Sequence, residues 1–137
     1  MMISLAKLRS TGAGCFDLLS CIFDIGPSEF QVFMEMRTGQ WIDLDTVAAS
    51  LNKSRTSVFK ALQRLVSLGL VYREARNVRS GGQYHVYSMA DRKIIKKIAQ
   101  ERVSEIEISL KSLVDRLDVE LEQKCGISVT KVQDLRL

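Results

Sequence analysis

Cys15, Leu18, Leu19, Ile22 and Phe23 recur at spacings of three and four, which predicts a buried helix over residues 14 to 25, ended by Gly26-Pro27. Ser28 is expected to cap a second helix, with Gln31 completing a capping box. Phe30, Phe33 and Met34, with Val32 beside them, form its inward face until Gly39 closes it. In WIDLDTVAASLN, Asp43 suits an N-cap, and Leu44, Val47, Ala48 and Leu51 follow at i, i+3, i+4 and i+7. Asn52 then stands where a left-handed residue turns the chain, and Ser54 can cap the next helix from two residues away. Within that fourth helix Val58, Ala61, Leu62 and Leu65 fall within about 60 degrees of one another on a helical wheel. Two short amphipathic helices joined this tightly cross steeply, the geometry of a helix-turn-helix.

Beyond Gly69 the pattern changes. LVYREA (70–75) and QYHVYSM (83–89) are rich in Val and Tyr, as strands are. Between them NVRSGG, with Gly81-Gly82 for a tight reversal and Arg76 and Arg79 in or beside the loop, predicts a β-hairpin with a basic tip. From Asp91 to about Lys124 there is neither Gly nor Pro, so one helix of about 50 Å is expected. Ala99, Val103, Ile106, Leu110, Leu113 and Leu117 keep the alternating spacing of a heptad seam, and Leu121 follows out of register. A helix cannot bury such a stripe alone, so it packs on the domain or on a partner subunit. The fold class is therefore mostly α with a small β-hairpin. The expected organisation is an arm over 1–13 with one turn of helix at most, a domain over 14–90, a long helix over 91–124 and a tail over 125–137.

The 137 residues, 46% hydrophobic, suffice for one compact core plus an extended element. Asp17 and Asp24 interrupt the only early apolar stretch, which is too short to span a bilayer, so a soluble, cytoplasmic protein is expected. The net charge of +4 is unevenly spread: residues 1–50 carry −3, residues 51–90 carry +6 and residues 91–137 carry +1. A basic block between an acidic and a balanced segment fits a surface that meets a polyanion. It equally fits a solvated face whose acids lie nearby in space.

Candidate chemistry is sparse. Cys15, Cys21 and Cys125 lack metal-ligand spacing, and the single histidine, His85, does not complete a zinc site with them. The thiols are expected to be reduced, the first two in a buried segment. No Cys/His pair has an orienting acid, and there is no phosphate-cradling glycine loop, so neither an enzyme nor a cofactor is expected. His85 reads as a wing or core residue, and Phe59, Trp41 and the Met34/Met36 pair as packing.

The polar face of the fourth helix is more informative. Thr56, Ser57, Lys60, Gln63 and Arg64 lie opposite the core stripe, with Arg55 and Phe59 on a flank, and residues 52–68 contain no acid. A surface helix ordinarily mixes acids with bases to gain i,i+4 pairs. Their omission makes sense where the face meets phosphates. Ser, Thr and Gln can donate to phosphate or read base edges, and Arg can grip guanine in a bidentate fashion. Arg55, Thr56 and Ser57, early in the helix, are the candidates for base contact, and Lys60 and Arg64 for the backbone. Arg76 and Arg79 would reach a flanking minor groove or phosphate.

The order of elements, with the string WIDLDTVAASLNKSRTSVFKALQRLVSLGLVYRE, resembles the winged helix-turn-helix of the MarR and TrmB-like transcriptional regulators over roughly residues 15–90. The shared pattern is carried by Leu51, Ser54, Val58, Ala61-Leu62, Leu65 and Gly69-Leu70-Val71. Asn52 departs from the usual Gly, and Lys53 from an apolar anchor. The resemblance implies a recognition helix over Arg55 to Arg64, a hairpin wing, double-stranded DNA as partner and a homodimer. Lys53 and Ser54 then join the DNA-facing set, and Ala99, Val103, Ile106, Leu110, Leu113, Leu117 and Leu121 become the dimer interface. The chain resembles the shorter TrmB-like members that stop after a dimerising helix, so sugar sensing is not expected. Such dimers can hold a small effector between long helix and domain, and no residue pattern names one here. The expected function is a sequence-specific regulator, a repressor by family habit. The alternative is a winged-helix module that binds protein without reading DNA.

Overall fold

The computed structural model describes residues 5–125. In chain order they form α1 (Leu5–Arg9), α2 (Cys15–Phe23), α3 (Pro27–Glu35), β1 (Ile42–Asp43), α4 (Leu44–Leu51), α5 (Arg55–Ser67), β2 (Val71–Asn77), β3 (Gln83–Met89), α6 (Arg92–Asp115) and α7 (Leu117–Cys125). Two compact units divide the chain between Gln100 and Glu101.

In the first unit α5 is the central helix, packed on α3, α4 and β2. Val58, Ala61, Leu62 and Leu65 are all buried, as the wheel predicts, among a core that includes Phe23, Ile25, Val32, Phe33, Met36, Val47, Leu70 and Tyr87. Its start is set locally: the Ser54 hydroxyl accepts the Ser57 N–H at 3.1 Å, satisfying one orphan amide of the first turn. The reversal from α4 places Asn52 at φ 52°, ψ 47°, a left-handed conformation that Asn tolerates. At the other end Gly69 turns out of α5 with φ +82°, and a Cβ there would meet Ile98 Cδ1 at 3.0 Å. The left-handed backbone favours glycine here, and any larger residue would also have to displace the Ile98 methyl slightly.

β2 and β3 pair antiparallel from Val71–Met89 to Asn77–Gln83. The reversal uses Gly81 and Gly82 at φ +95° and +88°. A third strand joins this sheet: β1 pairs with β3 through Ile42–Tyr87 and Asp43–Val86, giving the order β1-β3-β2. Two residues carry no periodicity, so β1 was not expected.

Several boundaries differ from expectation for identifiable reasons. α2 ends at Asp24, itself left-handed at φ 57°. α3 starts at Pro27 with Gly26 as its cap, and Glu29 rather than Gln31 reaches back to the Gly26 N–H at 3.3 Å. It stops at Glu35, because the next segment is stitched to the end of β3: the Ser88 hydroxyl and the Met89 N–H both donate to the Arg37 carbonyl. Inside α3 the buried pair is Val32 and Phe33, while Met34 is 40% exposed. Cys15 is exposed and Cys21 half-buried, since the buried face of α2 runs through Asp17, Leu19, Ser20, Ile22 and Phe23.

The expected single helix over 91–124 is two helices separated at Arg116, whose N–H turns back to the Leu113 carbonyl at 3.2 Å. Leu121 loses the heptad phase just beyond that point. In the second unit Val103, Leu110, Leu113, Leu117 and Leu121 are all 44 to 52% exposed. Among the described residues no helix is long and apolar enough to cross a membrane.

Asp43 closes β1 and caps α4, accepting the Thr46 N–H at 2.9 Å. Hydrogen bonds from the Thr46 side chain and backbone hold its carboxyl below the usual aspartate range. A depressed folded pKa means the ionised cap contributes fully above the unfolded value of about 3.9. That contribution is lost as pH falls through the folded value. Asp43→Ala should cost about 1 kcal/mol in urea unfolding at pH 7. Asp43→Asn, which caps without a charge, should retain most stability and lose less than wild type between pH 4 and pH 2.

Candidate nucleic-acid interface

The N-terminal half of α5 lies open. Thr56, Ser57, Lys60 and Gln63 are exposed, and none of their side chains has a polar partner among the described residues. Their backbone is fixed by the Ser54 cap and the buried stripe beneath, so the helix is a rigid support for a polar, unsatisfied surface. Beside it, between α5, the start of α4 and the hairpin, opens a groove of about 670 Å³. Arg55, Thr56 and Phe59 form one wall and Val78, Gln83, Tyr84 and His85 another, with Asp43 and Asp45 at one end. Tyr87 also lines it, its phenol pushed up by burial against the opposing pull of Arg73.

The predicted cations divide into two groups. Lys60 and Arg79 are exposed and unpaired among the described residues, Arg79 at the tip of the hairpin. The others are engaged. Arg55 donates Nε to Asp45 of α4. Lys53 donates Nζ to the Ser28 hydroxyl at 3.1 Å. Arg76 lies in β2, opposite Tyr84, where it pairs with Glu74 at 3.1 Å and stacks over Trp41 with 5.8 Å to the ring centroid. The acid-free stretch 52–68 is thus partly compensated in space by Asp45 and Glu29, which lie outside it in sequence.

Arg64 has a different task. One of its Nη atoms donates to the Phe23 carbonyl at 2.7 Å and to the Asp24 carbonyl at 3.4 Å. Its Nε pairs with Glu29 at 3.2 Å. The residue closes the C-terminal end of α2, whose last carbonyls lack helical partners. The wheel places Arg64 on the polar face, but its long side chain reaches elements about 40 residues earlier. No local signal in the sequence announces that reach.

Of the residues that line the groove, the sequence-derived site held Arg55 and Thr56 and missed the others, among them Asp45, Gln83 and Tyr84. Asp45 sits in the first turn of α4, where an acid is unremarkable. Its proximity to Arg55 arises from the crossing of α4 and α5. Phe59, expected as packing, is 38% exposed, and His85 faces the groove rather than the core. Among the described residues no group of three or more His, Cys, Asp or Glu could hold a metal ion.

Residues 19–93 match the family of the sugar-specific transcriptional regulator TrmB. The chain is 30% identical over 103 residues to an uncharacterized protein of Methanocaldococcus jannaschii, spanning 75% of this chain and 78% of that relative. A possible transcriptional regulator from Methanosarcina mazei has a similar structure, with a TM-score of 0.60 and 24% identity, covering 79% of this chain and 86% of that one. A protein from the thermoacidophilic archaeon Sulfolobus tokodaii is also similar, with a TM-score of 0.56 and 21% identity over 69% and 92% of the two chains. Both likenesses concern the fold.

Removing the Arg64 side chain should act on stability. Arg64→Ala removes one donor from the Phe23 carbonyl and the ion pair from Glu29, which keeps the Gly26 N–H, a loss of about 1 kcal/mol in urea unfolding. An unchanged midpoint would show that the three contacts carry no net free energy.

Proposed function

The chain belongs to the TrmB family of transcriptional regulators, and from that premise we propose that it is a cytoplasmic, sequence-specific duplex-DNA-binding regulator acting as a homodimer. In this reading the two copies of α5 enter successive major grooves at pseudo-palindromic half-sites about 10 bp apart. Occupancy of the operator blocks transcription. The observation that carries the proposal is the open face of α5: Thr56, Ser57, Lys60 and Gln63 stand unpartnered on a capped, core-anchored helix with no acid of its own. Thr56 and Ser57, nearest the N-terminus, are placed to read base edges, and Lys60 to neutralise a phosphate. Arg79 at the wing tip reaches a phosphate or the adjacent minor groove. Arg64, Lys53 and Arg76 hold the frame, each through partners of its own. The sugar specificity in the family's description is not carried over to this chain.

The second unit supports the dimer. It displays Ile108, Val114 and Val119 besides the seam positions Val103, Leu110, Leu113, Leu117 and Leu121, all large and all exposed. Ala99 and Ile106, also on the predicted seam, are half-buried. Apolar area of this extent on a helix calls for a covering partner, and a second copy of the same helix is the proposed one.

Two measurements test the proposal. Titration of labelled random-sequence duplex at two salt concentrations should show a steep loss of affinity with salt, and Lys60→Ala should reduce the slope by about 0.9. Absence of binding at low salt would reject DNA recognition in favour of the protein-binding winged-helix reading. For the assembly, wild type should sediment as a dimer and Leu110→Glu as a monomer with weakened duplex binding. A monomeric wild type would remove the dimer.

A further inference from the structure

Asp45 is an anomaly on a face proposed to meet phosphates. Its carboxylate lines the groove between α5 and the hairpin and is 67% exposed, so it would repel a polyanion. It does not cap α4, because Asp43 does that. Its partner Arg55 is equally open at 69%, and an ion pair this exposed contributes little to folding stability. The pairing itself therefore adds little beyond what an acid in the first turn of α4 contributes through the helix dipole.

The geometry points to a different role. Arg55 is the first helical residue of α5, directly after the Ser54 cap. Its Nε is committed to the Asp45 carboxylate, and no other partner of its guanidinium exists among the described residues. With Nε held, the two terminal nitrogens remain as a planar pair of donors at the entrance of the helix. Such a pair matches the O6 and N7 acceptors of guanine in the major groove. An arginine free at this position would also satisfy itself on any nearby phosphate. Held by Asp45, it has already lost much of the rotamer freedom that binding would otherwise remove, and the nearby negative charge opposes phosphate as an alternative partner.

Resting on the DNA-binding reading, we infer that Asp45 is a specificity-determining positioning residue: it holds Arg55 for bidentate recognition of one guanine and weakens binding to duplex lacking it. The role has a signature in two quantities that move in opposite directions. Loss of the carboxylate raises affinity for non-specific duplex and lowers discrimination at one base pair. A purely structural role would weaken both, and simple repulsion would change affinity alone.

The test uses the full chain with a site selected from a random duplex pool and its single-base-pair variants. Arg55→Ala first identifies the base pair that Arg55 reads. Asp45→Ala should then bind random duplex about fivefold more tightly, the scale of one unit charge removed at close range. It should discriminate at that base pair about tenfold less well, within the range of one bidentate contact. Asp45→Asn, which keeps the shape of the side chain, should shift both quantities in the same directions, and thermal melting of each variant establishes that it is folded. Combined with Arg55→Ala, the Asp45 substitutions should have no further effect on discrimination. Unchanged discrimination in folded Asp45 variants, with wild type binding duplex normally, overturns this inference and leaves the DNA reading standing. Failure of wild type to bind duplex at low salt overturns both.

Discussion

The turn from α4 to α5 is the constraint on which the rest of the first unit depends. Asn52 takes the left-handed conformation, and its N–H and that of Lys53 close on carbonyls of the last turn of α4. Only Lys53 and Ser54 then separate the turn from the first residue of α5. A connection this short leaves the two helices little choice of crossing geometry, and three consequences follow. Val47 and Ala48 face the same core as Val58 and Leu62. The open end of α5 points away from that core, so Thr56 and Ser57 are exposed. The first turns of both helices lie side by side, which brings Asp45 to Arg55 across ten positions of sequence. A left-handed non-glycine residue costs about 1 to 2 kcal/mol in general, less for Asn. Burial of α5's four core side chains offsets that several times over.

The electrostatics of the interface follow from which acids the fold brings back to a helix that has none. Charge counting along the chain treats Arg55, Lys60 and Arg64 alike. Packing separates them: Asp45 takes Arg55, Glu29 and two α2 carbonyls take Arg64, and Lys60 is left to solvent. Both readings of the basic block in the sequence therefore hold in part. Some of its cations are balanced by distant acids, and the remainder are available to a polyanion. Availability, rather than the number of cations, is what bears on phosphate binding, since a counterion leaves the DNA only where a protein cation replaces it at a phosphate.

What was legible in the sequence is what depends on near neighbours. The Asp43 and Ser54 caps, the Asn52 turn, the buried stripe of α5 and the glycine reversal of the hairpin each involve residues a turn or two apart in the chain, so periodicity and side-chain chemistry suffice. The features that escaped are non-local. β1 exists because β3 offers it an edge. α3 stops short of Gly39 because Ser88 and Met89 claim the Arg37 carbonyl. Arg64 turns to the end of α2 because that end lies within its reach. In the candidate site, Arg55, Thr56, Ser57 and Lys60 are exposed on α5, where the wheel puts them. Asp45 and Tyr84 lie outside the wheel, as no spacing rule connects them to α5.

The second unit raises the same question of partners on a larger scale. Its stretch of α6 and the nine residues of α7 carry large apolar side chains, and α7 alone is below the length at which an isolated helix holds together in water. One in-helix ion pair there joins Lys111 to Glu107 at 2.9 Å, and a pair of this kind adds about 0.2 to 0.5 kcal/mol. Burying one leucine contributes about 1.5 to 3 kcal/mol, so covering even two seam positions outweighs several such pairs. The helical state of this unit and the covering of its stripe are therefore coupled. The interruption at Arg116 sets the natural limit of a continuous seam on α6 at Leu113, before the phase is lost at Leu121. A symmetric partner would then engage α6 across Val103, Leu110 and Leu113 and leave α7 to a separate contact.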